Sequence, residues 1–250
     1  MSPLVMSLIS ALLISSLSLA TIFLVFLRLK NLKKITLYLV AFAVGSLLGD
    51  AFLHLIPESY ETIDSSVFTS LFIILGMLLF FIIEKVLRWR HCHDPDCQDS
   101  HHGPLVALNF IGDSVHNFID GMLIAASFMV GPTLGLSTSL AVIFHEIPQE
   151  IGDFSIFIHS GLGVAKTVRF NFLSALFSIA GVILTFLLGS LIENFSLYLL
   201  PLTAGGFIYL AASDLIPELH RKRTKALSSF LELLLIILGV ALMVLLLFLE

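Results

Sequence analysis

The chain has 250 residues, 58% of them hydrophobic and 12% charged, with 22 Phe and a mean hydropathy of +1.04. Such a composition excludes an ordinary soluble domain and describes a membrane protein. Its net charge of −5 includes no basic patch for nucleic acid, so no nucleic-acid partner is expected.

Crossing the hydrocarbon core takes about 20 apolar residues. Eight such stretches follow in order, at residues 3–27, 35–57, 67–88, 104–130, 133–159, 168–192, 196–219 and 227–249. Lipid offers nothing to unpaired backbone groups, so all eight are expected as helices of one all-α polytopic domain over 1–250. The first lacks a basic leading segment and exceeds a signal-peptide core, so it is read as a true span. All 13 Lys and Arg fall in the odd connections: Arg28, Lys30, Lys33 and Lys34; Lys85, Arg88 and Arg90; Lys166 and Arg169; Arg221, Lys222, Arg223 and Lys225. That face is therefore cytoplasmic, which leaves both termini extracytoplasmic. Glu58, Glu61, Asp64 and Glu193 lie at the even connections. The expected location is the cell membrane.

The second span ends in GDAFLHLIPE, residues 49–58, and the seventh in AASDLIPE, residues 211–218. Aligning His54 with Asp214 also puts Gly45 on Gly205. The copies lie five spans apart, so the pattern is read in opposite directions across the membrane. Inverted repeats of this kind place a binding site near mid-depth between the halves. Spans 1–3 are expected to mirror spans 6–8 around spans 4 and 5.

Those central spans hold HNFIDG, residues 116–121, and HEIPQEIGD, residues 145–153. Asp113, His116, Asn117 and Asp120 fall on one face of the fourth helix. In the fifth, His145, Gln149 and Asp153 form one row, and Glu146 and Glu150 the next. At 1.5 Å per residue both histidines sit near mid-depth. Pro148 frees the carbonyl of Phe144 beside them. Imidazole nitrogen with carboxylate oxygen suits a borderline divalent cation, whereas calcium or magnesium calls for oxygen alone. A dication, or protons in its absence, relieves the desolvation and mutual repulsion of these carboxylates. The bland alternative is helix-packing contacts, common for single Asn or Ser residues; intramembrane ionisable groups are functional by default.

HNFIDG, HEIPQEIGD, GDAFLHLIPE and AGGFIYLAASDLIPE together resemble the ZIP (Zrt/Irt-like) family of divalent metal transporters, in particular the branch with a fifth-span His-Glu-x-Pro-His-Glu-x-Gly-Asp signature. The resemblance covers nearly the whole chain. It implies that metal, zinc above all, moves toward the cytoplasm through a centre between the fourth and fifth helices, with iron(II), manganese and cadmium as further candidates. By motif position it implies His116, Asn117, Asp120, His145, Glu146 and Gln149 as ligands, with Glu150 and Asp153 alongside. Gln149 stands where the branch has His. The sixth span offers Asn171, Ser174 and Ser178 in place of an acidic ligand, so one bound metal is expected rather than two. A homodimer stays open.

The third connection, at 89–103, holds HCHDPDCQDSHHG. His91, His93, His101 and His102 make it a loose cytoplasmic metal-binding loop, against the alternative of a solvated linker. Cys92 and Cys97 lack Cys-x-x-Cys spacing and face a reducing compartment. Asp50, His54 and Glu58 trend to the outer end of the second span, and Asp214 and Glu218 to the inner end of the seventh. With Asp113 they are read as pathway groups, against simple snorkelling. Glu84, His159 and His220 are read as interfacial.

Two rivals come from other classes. HEIPQE resembles the His-Glu-x-x-His of zinc peptidases, but Gln149 replaces the second histidine, and hydrolysis needs three strong ligands and an activated water. A passive channel uses the same ligands as a pore lining. No nucleotide-binding loop supports an ATP-driven pump. The expected cycle is alternating access, with spans 4 and 5 shifting relative to the repeats.

Overall fold

The computed structural model describes residues 1–26, 32–89, 102–159, 162–192, 194–220 and 226–248. Every regular element among them is helical. In chain order these are α1 (Pro3–Phe26), α2 (Leu32–Asp50, continuing through Ala51–Leu55 and Ile56–Thr62), α3 (Ser66–Trp89) and α4 (His102–Val130). Then come α5 (Pro132–His159), α6 (Val164–Ala175 and Phe177–Gly189), α7 (Phe195–Tyr209, continuing through Leu210–Leu215 and Ile216–His220) and α8 (Ala226–Leu247). Five helical stretches are long and apolar enough to cross a membrane: Ile35–Thr62, Ser66–Val86, Val164–Gly189, Phe195–His220 and Leu227–Leu247. The histidine helices α4 and α5 run to 29 and 28 residues.

Apolar sequence explains the helices, and many hydroxyl groups fit them by donating to a carbonyl one turn back, though the buried Thr167 and Thr185 hydroxyls have no partner. Ser139 donates to Gly135 O, Ser59 to Leu55 O and Thr203 to Leu199 O, each one turn back. Proline explains the two irregular stretches. Ala51–Leu55 and Leu210–Leu215 are π-helical, with Ile56 N–H donating to Ala51 O and Ile216 N–H to Ala211 O, five residues back in each case. Pro57 and Pro217 follow at once and have no N–H to give, so the helix widens ahead of them. Pro148, by contrast, lies within a continuous α5.

The helices pack as two four-membered bundles. One contains α1, α4, α5 and α6; the other contains α2, α3, α7 and α8, and the bundles meet mainly through α2 against α5 and α4 against α7. In the second bundle a methyl group on Gly45 would run into the Ile236 carbonyl, and one on Gly239 into the Phe42 carbonyl. Likewise Gly205 abuts the Ile73 carbonyl and Gly76 the Leu202 carbonyl. Adding 160 to the α2 numbers and 163 to the α3 numbers converts one set of contacts into the other. The Gly45–Gly205 alignment drawn from sequence thus coincides with matching close approaches of α2 to α8 and α7 to α3.

These approaches make a stability prediction. Gly205→Ala forces the backbones apart and should cost about 1–3 kcal/mol, as overpacking does. Gly131→Ala, where nothing lies within 4 Å, should leave thermal denaturation of the detergent-solubilised protein near wild type. Equal melting of both variants would remove close packing as the reason for glycine at 205.

Candidate metal centre

His116 is the middle residue of α4, and His145 is one of the two central residues of α5. The antiparallel pair brings them together, with His116 Nε2 3.3 Å from His145 Nε2. Asp120 Oδ2, one turn along α4, lies 3.1 Å from His145 Nε2 and 3.5 Å from His116 Nε2. Glu146 Oε1 lies 3.6 Å from His116 Nε2 and 3.9 Å from His145 Nε2. These four ligand atoms all fall within 4.8 Å of one another. Tetrahedral ligands at metal bonds of about 2.0–2.1 Å sit roughly 3.3–3.4 Å apart, so the cluster has the size of a zinc site.

Hydrogen bonding fixes the chemistry. His145 Nδ1 is 3.1 Å from the Ala141 carbonyl, to which it can only donate. That places the proton on Nδ1 and turns the Nε2 lone pair toward the cluster. Glu146 Oε1 is buried with no hydrogen-bond donor. His145, Asp120 and Glu146 are each at most 2% exposed, and His116 opens toward a cavity. Four electron-pair donors facing one point in a buried space call for a cation.

The remaining sequence-predicted residues stand beside this cluster. Asn117 turns its amide to Asp113, donating to Oδ1 at 3.0 Å and to the carbonyl at 3.1 Å. Gln149 also points at Asp113 Oδ1, at 3.5 Å. Glu150 Oε2 accepts from Asn171 of α6 at 2.8 Å, and Asp153 Oδ1 from Asn109 of α4 at 3.0 Å. In all three carboxylates one oxygen is held by an amide, and the other, Asp113 Oδ2, Glu150 Oε1 or Asp153 Oδ2, is buried without a partner. Asn109 was not read from the sequence as part of the site; an amide four residues before Asp113, on the same helix face, was its signal.

A cavity of about 550 Å³ leads away from His116 and His145. Its wall includes Thr36 near the start of α2, Asn109 near the start of α4, Glu84 near the end of α3, and Asp214 and Glu218 near the end of α7. It therefore opens toward the helix ends that carry the basic connections. The carboxylates of Glu84, Asp113, Asp153, Asp214 and Glu218 line it, with no Lys or Arg in the described wall. Glu84, expected at the interface, instead accepts a hydrogen bond from Tyr209 of α7 at 2.5 Å in this wall. On the other side of the histidines the packing is tight, with Leu47, Ile124, Ala141, Val142 and Phe207 fully enclosed. Asp50 and His54 are buried on that side; His54 Nε2 lies 3.0 Å from Met243 O of α8. Glu58 is at the α2 end beyond them, with its carbonyl accepting from Thr62. His91, His93 and His101 lie outside the described residues, as does the side chain of His102.

Known proteins similar to this chain are zinc transporters. A family model described as "ZIP Zinc transporter" matches residues 2–106 and 89–247. Zinc transporter zipt-7.1 of Caenorhabditis briggsae is 30% identical over 82% of this chain and 69% of its own length. Zinc transporter ZIP13 of Pongo abelii is 31% identical over 83% of this chain and 65% of its own length, and zinc transporter YKE4 of Saccharomyces cerevisiae is 31% identical over 72% and 60%. Against the longer zinc transporter ZIP10 of Homo sapiens the match spans 17% of the relative. The family is one of transporters, which sets the peptidase reading aside. The chain belongs to the ZIP zinc transporter family.

Proposed function

We propose that this chain carries a divalent cation, zinc first, across its membrane toward the cytoplasm, binding it between α4 and α5 at His116, Asp120, His145 and Glu146. The observation that carries this reading is the convergence of those four donors at the middle of two long helices, beside a carboxylate-lined cavity. The relatives' names point to zinc. Two nitrogens and two oxygens also fit iron(II), manganese and cadmium. All eight helical segments span the membrane in this reading. Spans 1–3 and 6–8 form the inverted repeat, supported by the paired glycine contacts and the two π-helices. With the basic connections in the cytoplasm, both termini face outward and the cavity is the release path. The whole chain acts as one transport unit at the cell membrane.

Alternating access is favoured over a passive channel, because the path is open on one side of the histidines and packed on the other. The packing also changes which part moves: α1 and α6 are joined to α4 and α5, so four helices shift rather than two. The cation leaves by way of Asp113, Glu150 and Asp153, whose unpartnered oxygens follow the ligands along α4 and α5. Their attraction concentrates cations in the release path.

Uptake of zinc into proteoliposomes, with a panel of competing divalent ions, tests the reading; absence of uptake for every ion in the panel would refute it. A second outcome concerns pH. The ligands bind metal only without protons on the coordinating atoms, so acidification adds protons that the cation must displace. Zinc affinity, measured by calorimetry, should fall steadily between about pH 7.5 and 5.5. A flat profile contradicts a His and carboxylate site.

A further inference from the structure

Asp50 is fully buried in α2, yet it faces the other bundle. Its Oδ2 accepts a hydrogen bond from Thr138 Oγ1 of α5 at 3.1 Å, and its Oδ1 has no partner. The bonds Ser15–Ala175, His54–Met243, Asn109–Asp153, Asn171–Glu150 and Tyr209–Glu84 each stay within one bundle. Asp50–Thr138 crosses between them. Ser137, also of α5, lies beside Asp50 but gives its hydrogen to the Leu134 carbonyl at 2.9 Å; the α2/α5 contact also includes the edge-on packing of Phe42 on Phe144 at 4.6 Å.

Position makes this bond a closure. Thr138 precedes His145 by seven residues on α5, about 10 Å along the helix. It lies on the packed side of the metal centre, away from the release cavity. Thr138 also has a second acceptor, Ser127 Oγ of its own bundle, at 3.0 Å. Ser127 is already donating to the Leu123 carbonyl at 3.0 Å, so only Thr138 can supply the hydrogen between the two hydroxyls. One hydroxyl hydrogen serves one acceptor. The carboxylate is the stronger while the bundles are together, and Ser127 takes over when they part. Thr138 therefore stays satisfied in both states, and Asp50 is freed to meet water or an arriving cation.

We propose that the Asp50–Thr138 hydrogen bond is the latch holding the outer side of this transporter closed, with Ser127 as the alternative partner when it opens. The proposal rests on the alternating-access reading above. Its test is the alkylation rate of a cysteine placed in the packed outer seal, Ala141→Cys, with Cys92→Ser and Cys97→Ser so that no other thiol reacts. The reagent is a polar maleimide applied to the detergent-solubilised full chain. Thr138→Val, which keeps the shape and removes the donor, should raise the rate about tenfold, as expected for a hydrogen bond to a charged group. Thr138→Ser should restore the parent rate. Asp50→Asn should raise the rate by a smaller factor and add nothing once Thr138→Val is present, since both changes break one interaction. Equal rates for the Val and Ser variants, or independent effects of the two sites, overturn the latch. Zinc uptake by the unaltered chain separates the readings: uptake with unchanged accessibility in the cysteine series refutes the latch alone, and no uptake of any divalent ion refutes transport itself.

Discussion

Replacing His116 or His145 with Ala should nearly abolish zinc uptake into liposomes, while deleting residues 91–102 should leave it running at an altered rate. Each imidazole supplies a lone pair to a space where His145, Asp120 and Glu146 are at most 2% exposed, so water cannot freely take its place. Loss of one nitrogen also weakens the hold on the ion that would neutralise Asp120 and Glu146. In the proposed reading the deleted loop holds exchangeable ligands on the cytoplasmic side, and none of the four converging atoms belongs to it. The assay compares initial rates at matched amounts of folded protein. Robust uptake by both histidine variants, together with total loss on loop deletion, would move the site out of α4 and α5.

Glu146 and Gln149 should separate sharply, because the structure divides two residues that the family resemblance groups together. Glu146 Oε1 lies 3.6 Å from His116 Nε2, whereas the Gln149 amide points at Asp113 Oδ1, at 3.5 Å. A lost direct ligand costs more than a lost outer partner, for which about 10–100-fold in affinity is usual. Glu146→Gln should therefore weaken zinc binding by on the order of a hundredfold or more, and Gln149→Ala by about tenfold or less. Calorimetry on the purified variants measures both. The reverse order would make Gln149 the ligand and Glu146 its neighbour.

Much of this architecture was legible in the sequence because lipid leaves few options. Apolar length marked the helices, and the spacing of His116 and Asp120 put both on one face of α4. The LIPE pair pointed to matching segments, which the structure shows as π-helices with glycine contacts at the same offset. Spacing could not choose among neighbouring rows. His145 and Gln149 share one row of α5 and Glu146 begins the next, so the way α5 faces α4 decides which of them meets His116. Nor could it show that Asn117 turns back along its own helix to Asp113. Glu84 read as interfacial because its place in the cavity wall depends on α3 packing against Tyr209 of α7, a long-range contact.

That packing also explains why the metal helices are not expected to move alone. Gly121 abuts the Ser178 carbonyl and Gly181 the Phe118 carbonyl, so α4 and α6 lie backbone to backbone. Ser15 of α1 ties to Ala175 O of α6 at 2.8 Å. Sliding α4 against α6 would break these approaches, whereas the α2/α5 face carries the Asp50–Thr138 hydrogen bond and the packing of Phe42 on Phe144.

X-ray absorption at the zinc edge, on the purified chain loaded with one equivalent of zinc, tests the central assignment most directly. The account predicts a first shell of two imidazole nitrogens and two carboxylate oxygens at about 2.0–2.1 Å, with imidazole scattering reduced in His145→Ala. A sulfur shell at about 2.3 Å, pointing to Cys92 and Cys97, or a spectrum unchanged by His145→Ala, would contradict it.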